Sequence, residues 1–231
     1  MFTKTLLDPA VEPLFTGIRA VLYGDSDYPH HLLSAAHPPL RLWYKGRLQP
    51  SDRVSVAVVG SRRATPEGVR RSHRLAAELS RAGVTIVSGL AKGIDGAAHR
   101  GALAVGGRTI AVLGTGLNEI YPYEHHELFG QVIESGAAFS QFDPGFTGYR
   151  GGRNFLQRNH TLVGMSQLLV VVEATQRSGS LSAVRIALEL GRPVGILRSL
   201  VASQAWASEL VESGKAFEVG DTGDALSRLE L

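Results

Sequence analysis

Four glycine-rich turns, each following a run of β-formers, are the residues here with the clearest potential for chemistry. They are Gly60-Ser61-Arg62, Ser88-Gly89-Leu90-Ala91-Lys92-Gly93-Ile94-Asp95, Gly114-Thr115-Gly116 and Ser178-Gly179-Ser180. The runs before them are Val54–Val59, Val84–Val87, Thr109–Leu113 and Leu168–Val172. Short apolar runs bounded by turn residues read as strands buried on both faces. If they are parallel in one sheet, all four turns collect at its carboxyl edge, where open α/β sheets bind ligands. Glycine permits close backbone approach, and amides at helix starts attract anions. The chemistry expected is phosphate binding in a crevice.

Each turn also has a plainer reading. In Gly60-Ser61-Arg62-Arg63 the serine hydroxyl can donate and Arg62 can fork onto a phosphate, or the arginines are surface residues on a βα turn. Neither a dinucleotide fingerprint nor a Walker loop is present. In the second turn Lys92 is expected to point into the crevice and Asp95 to cap the following helix. Asp95 and His99 share a helix face, which suits a structural pair better than a metal site lacking further ligands. Gly114 and Gly116 permit close ligand approach, and Tyr121 either stacks on a base or plugs the loop. Adjacent His125 and His126 point apart on a helix and make a poor zinc pair. Glu173 ends an apolar strand and is a candidate general base or ribose contact, while Ser178-Gly179-Ser180 offers a second anion site. No nucleophile elbow surrounds either serine, which disfavours a serine hydrolase.

The segment Tyr149–His160 packs Arg150, Arg153 and Arg158 together with Tyr149 and Phe155. Basic groups interleaved with rings suit single-stranded nucleic acid, the arginines holding the backbone while rings stack on bases. A solvated loop with Phe155 in the core is the alternative.

The elements needed to position these residues follow from periodicity. Beyond the four strands, the pattern predicts helices over 66–81, 95–104, 124–135, 154–164, 181–190 and 204–213, with strands at 137–139, 193–197 and 215–219. Pro66 suits a first helical turn and Gly83 a helix end. Strands alternating with helices predict a doubly wound, mostly parallel sheet with helices on both faces. Residues 1–50 are turn-rich, with one strand at 40–44, and read as a β-containing extension packed on a main domain of residues 51–231. The sequence stops close to its last predicted element, so no further domain is expected.

Composition narrows the classes. The chain has 231 residues, 44% hydrophobic and 19% charged, with no cysteine. That excludes disulfides and thiolate-bound metal, and fits a cytoplasmic protein. No apolar run is long enough for a membrane span and no secretory signal is evident. Twenty arginines stand against four lysines. The guanidinium suits bidentate phosphate contact, although genome composition alone can produce such a bias.

Taken in order, these motifs resemble the DNA-processing protein A family (DprA/Smf). The resemblance rests on Val56-Ala57-Val58-Val59-Gly60-Ser61-Arg62, on Val87–Asp95 with Ala98-His99, and on Ile110–Gly116 with Tyr121-Pro122. Arg158-Asn159, Val172-Glu173-Ala174 and Ser178-Gly179-Ser180-Leu181 continue it, and the lead-in Asp27-Tyr28-Pro29, Pro38-Pro39 and Tyr44-Lys45-Gly46 is similar too. It covers about residues 20–215. Leu156, His160, Gln141, His125 and the stretch Leu197–Ala205 depart from the family pattern, and the flanking helical and winged-helix domains of many members are not seen. The resemblance implies an extended Rossmann-like domain that binds single-stranded DNA, protects it during natural transformation and helps load the RecA recombinase. It implies a homodimer without catalytic chemistry or cofactor. The candidate DNA- and phosphate-contacting residues are then Gly60, Ser61 and Arg62; Gly89, Lys92 and Gly93; Gly114 and Gly116; Arg153, Phe155, Arg158 and Asn159; and Ser178, Gly179 and Ser180. No catalytic residue or metal ligand is expected. The competing reading is a nucleotide-derivative sensor or an N-glycosidase-like enzyme on the same fold, with Glu173 facing the crevice.

Overall fold

The computed structural model describes residues 17–35, 37–176 and 178–230. Among them, nine strands form one sheet: β1 (Arg19–Leu22), β2 (Arg41–Gly46), β3 (Ser55–Val59), β4 (Thr85–Ser88), β5 (Thr109–Leu113), β6 (Ala137–Ser140), β7 (Leu168–Val171), β8 (Val194–Leu197) and β9 (Phe217–Val219). Their spatial order is β1-β2-β6-β5-β4-β3-β7-β8-β9. From β6 to β9 every pairing is parallel, and β2 joins β6, and β1 joins β2, antiparallel. The described part of the N-terminal stretch thus contributes two strands to the sheet itself.

Eight α-helices accompany the described strands: α1 (Pro66–Arg81), α2 (Ile94–Leu103), α3 (His126–Ser135), α4 (Arg153–Gly164), α5 (Ser180–Glu189), α6 (Arg198–Val201), α7 (Ala205–Glu212) and α8 (Thr222–Leu226). Alternation along the central strands sorts them onto two faces. Ala57, Val59, Leu169 and Val171 pack toward α4 and α5. Val56, Val58, Leu168 and Val170 pack toward α1 and α2. All five residues of β3 are buried, as a strand covered on both sides requires. The protein is an extended Rossmann-like, doubly wound α/β fold.

Local chemistry sets the helix bounds. Thr65 caps α1 by accepting from Gly68 N at 3.0 Å, Pro66 follows, and Ser72, Leu75, Ala76 and Leu79 form the buried stripe. Three of these elements escape periodicity, among them the four-residue α6. The edge strand β1 buries only Val21, too few residues to show a pattern. Helix α8 has five residues and exists through its cap, Asp221 accepting from Gly223 N and Asp224 N. The expected cap of α2 is also different. Its N-cap is Gly93, at φ +72°, and Asp95 lies inside the first turn.

The strand order places the crevice. From β3 the chain winds outward through β4, β5 and β6, then returns to set β7 on the other side of β3 and continues to β9. The reversal between β3 and β7 is the topological switch point, whose carboxyl end is an open α/β sheet's natural binding position.

Candidate functional site

A crevice of about 720 Å³ opens at this switch point. Gly60, Ser61 and Arg62 line it from β3; Ser178, Gly179 and Ser180 from the start of α5; Phe155, Arg158 and Asn159 from α4. A hollow of about 40 Å³ lined by Arg62, Gly89, Lys92, Tyr121, Phe155 and Arg158 lies beside it, with several walls in common. Arg62, Lys92 and Arg158 therefore meet around one space. Arg153, exposed at the start of α4, is not part of either lining.

The rim is a stack. The Arg62 guanidinium lies 4.7 Å from the Phe155 ring centre, and the Phe155 and Tyr121 rings are 5.5 Å apart, tilted by 43°. Tyr121 is half exposed, so the stack presents an open face. Arginine over aromatic rings at a crevice mouth offers both a phosphate fork and a platform for flat groups.

Beneath the rim the groups are committed to the protein itself. Arg158 is 5% exposed. Its Nη1 donates to Gly89 O at 2.7 Å and to Val112 O, and its Nε to Asn159 Oδ1 at 3.3 Å. Its Nη2 has no hydrogen-bond partner among the described residues. Burial pushes Arg158 down to about 10, opposed by the Asp95 charge, so it stays a cation at neutral pH. Burial raises Asp95 against the pull of Arg158, and its carboxylate accepts from Gly89 N at 3.2 Å. Asp95 thus ties down the second glycine turn instead of capping α2. Arg158 is first a buried cross-brace, and only one nitrogen remains for a ligand.

The other expected contacts change in the same way. Asn159 Nδ2 donates to Ser182 Oγ at 2.8 Å and Gly179 O at 3.3 Å, pinning α4 to α5. Lys92 is half exposed and ion-paired with Glu124, which raises it. The glycines expected to admit a ligand mostly admit the chain. A Cβ at Gly89 would lie 2.3 Å from the Arg158 guanidinium, at Gly114 2.5 Å from the Phe155 ring, at Gly93 2.3 Å from Ser61 O, and at Gly116 2.2 Å from Asp143 O. Gly60 likewise faces Ile94, while Gly179 is open. Ser61 N donates to Glu173 O at 2.6 Å, and Ser178 Oγ donates to Ser180 Oγ at 3.0 Å.

Glu173 is not free to act as a base or ribose ligand. Its carboxylate accepts from Thr65 N at 2.9 Å and Thr65 Oγ1 at 2.6 Å, tying β7 to the start of α1. Glu173→Ala is expected to cost about 1–2 kcal/mol of stability through this lost cap. A urea midpoint unchanged from the parent would contradict that role. His99 and His125 are buried in the protein's own hydrogen bonds, and no cluster of metal-ligating side chains occurs among the described residues.

Reading the residues alone underestimates Leu156 and Thr175, which also line the crevice. Leu156 is half exposed inside a helix, a position that periodicity does not reveal. Thr175 carries a weak signal, since it follows the carboxyl end of a strand.

A doubly wound sheet with an arginine- and aromatic-rimmed crevice at its switch point defines the class: a Rossmann-like binding fold. The chain belongs to the family described as DNA recombination-mediator protein A, whose pattern matches residues 19–230. It is similar to the Smf protein of Escherichia coli (strain K12), at 45% identity over 170 residues, 72% of this chain and 44% of that protein. The Smf protein of Synechocystis is 42% identical over 174 residues, 74% of this chain and 43% of that one. The chain thus spans less than half the length of these two relatives. Among solved structures, the DNA processing protein A of Streptococcus pneumoniae superposes with a TM-score of 0.85 at 34% identity, covering 97% of this chain and 79% of that one. The Helicobacter pylori protein, described by its single-stranded DNA binding mode, gives 0.79 at 27% identity, covering 91% and 94%.

Proposed function

We propose that this protein binds single-stranded DNA across the switch-point crevice, without catalysis or cofactor, and serves recombination by protecting the strand and helping to load a RecA recombinase. It acts as a homodimer in this reading. The observation that carries the reading is the Arg62–Phe155–Tyr121 stack. Arg62 grips backbone phosphate, and the rings accept a base regardless of its identity. Family membership and the binding mode described for the Helicobacter pylori relative support it. The engagement of both Glu173 oxygens by Thr65 argues against the glycosidase-like alternative. Arg153, exposed beside the crevice, supplies a peripheral charge. Among the described residues no helix is long and apolar enough to cross a membrane.

Fluorescence anisotropy with an oligothymidylate tests this. Phe155→Ala is expected to weaken binding by about 1–3 kcal/mol, the range for losing one stacked base. Arg62→Ala should flatten the dependence of log affinity on log salt by about 0.7, one phosphate contact. Absence of binding at about 50 mM salt, where such contacts are strong, would end this reading.

A further inference from the structure

A second cavity, of about 610 Å³, lies on the same carboxyl edge of the sheet. One wall is α1, through Arg70, Arg71 and Arg74; the other begins where β8 ends, at Arg198, and where β9 ends, at Gly220. It flanks the first turn of α1: Arg63 lines the crevice and Glu67 lines this groove. Arg198 belongs to the stretch Leu197–Ala205, where the sequence departs from the family pattern, and nothing in the crevice explains it.

The guanidinium geometry is the informative part. Arg71 uses Nε toward Glu67 at 2.9 Å, Arg74 uses Nε toward Glu78 at 3.0 Å, and Arg198 uses Nε toward Glu218 at 2.6 Å. Neither Nη of any of these three has a hydrogen-bond partner among the described residues. Each carboxylate holds its arginine by one edge and leaves the Nη pair unused. Pairs three or four apart on an exposed helix are common and weak. Arg198, however, approaches from a different element, and Gly220 makes room for it: a Cβ there would lie 2.1 Å from Arg198 Nη2. The three side chains are 42%, 75% and 69% exposed. Weak surface pairs leave such a guanidinium ready to donate to phosphate oxygens.

We propose that this groove is a second phosphodiester track, taking up the single strand where it leaves the crevice past the first turn of α1. The inference rests on the crevice binding single-stranded DNA. The test compares oligothymidylates of about 6 and about 24 nucleotides, bracketing the span of one compact single-strand site. The triple variant R71A/R74A/R198A should bind the short strand as the parent does and the long strand about tenfold more weakly. Its salt slope for the long strand should be smaller by about 2, three phosphate contacts at about 0.7 each. The R71K/R74K/R198K variant keeps the charge and should retain the parental slope. Equal long-strand affinity in parent and alanine variant overturns the track, as does an equal loss for both lengths in a variant that melts like the parent. If the parent binds neither strand, the crevice reading fails. If Phe155→Ala weakens both lengths while the alanine triple variant changes neither, the track alone fails.

Discussion

Arg158→Met is expected to remove about 3–5 kcal/mol of folding stability, since it deletes buried hydrogen bonds from a charged donor worth about 1.5–3 kcal/mol each. The side chain braces three elements, through Gly89 O after β4, Val112 O on β5 and Asn159 on α4. Asp95 lies buried nearby, its carboxyl raised by burial and pulled the other way first by the Arg158 charge. Removing the cation takes away the charge that opposes the effect of burial on Asp95, and leaves two carbonyl oxygens without their donor. The double variant Arg158→Met with Asp95→Asn should lose less than the sum of the two single changes, because the two side chains act on one another. Urea denaturation of the four proteins closes the cycle. A single-variant loss below about 1 kcal/mol, ordinary for a surface substitution, would show that Arg158 is not the brace described. The same variant should bind oligothymidylate poorly, since the floor under Phe155 and Arg62 moves with it.

Acid should destabilise the protein well before its carboxylates protonate, through His99. The imidazole is fully buried and pushed down to about 3, by burial first and then by the charges of His125, Arg100 and Arg158. Hydrogen bonding explains why protonation is so unfavourable. Thr109 Oγ1 donates its one hydrogen to Ile86 O at 2.9 Å, so it must accept from His99 Nδ1, 2.7 Å away. The neutral ring therefore carries its proton on Nδ1, and a second proton would go to Nε2, which is buried without a partner among the described residues. The unfolded chain binds that proton near pH 6.5, the folded chain only near 3. Below about pH 6.5 the unfolded state holds more protons, so stability present at neutral pH is lost as pH falls. Between pH 6.5 and 5 the loss is about 1.6 kcal/mol. Half-buried His31, also lowered by burial, contributes with the same sign. His99→Asn should be less stable at pH 7.5 and flatter through this window. A parental slope surviving in the variant would assign the acid sensitivity elsewhere.

The central strands were legible because burial on both faces leaves a mark in sequence. Thr109–Leu113 appears as expected, and the runs Val54–Val59 and Leu168–Val172 differ from β3 and β7 by a residue. Such strands need unbroken apolar side chains, and the glycine turns after them show where each ends. Helix α1 was equally plain, with a cap, a first-turn proline and a buried stripe. β1, α6 and α8 were not, because four or five residues cannot display a period. Their stability comes from neighbours elsewhere in the chain and, for α8, from the adjacent Asp221 cap.

The crevice shows the same division. Sequence alone determined that the turns after β3, β4, β5 and β7 gather arginine, lysine and rings at one edge, since strand polarity and connection handedness leave few other arrangements. Only the tertiary structure decided which of those groups remain available to a ligand. Residue type does not say whether a guanidinium faces solvent, as Arg62 does, or spends its donors on Gly89 and Val112, as Arg158 does. Nor does it say that Glu173 is held by Thr65, more than a hundred positions away. A polar group excluded from water must find a partner, and that partner is set by what the fold brings alongside.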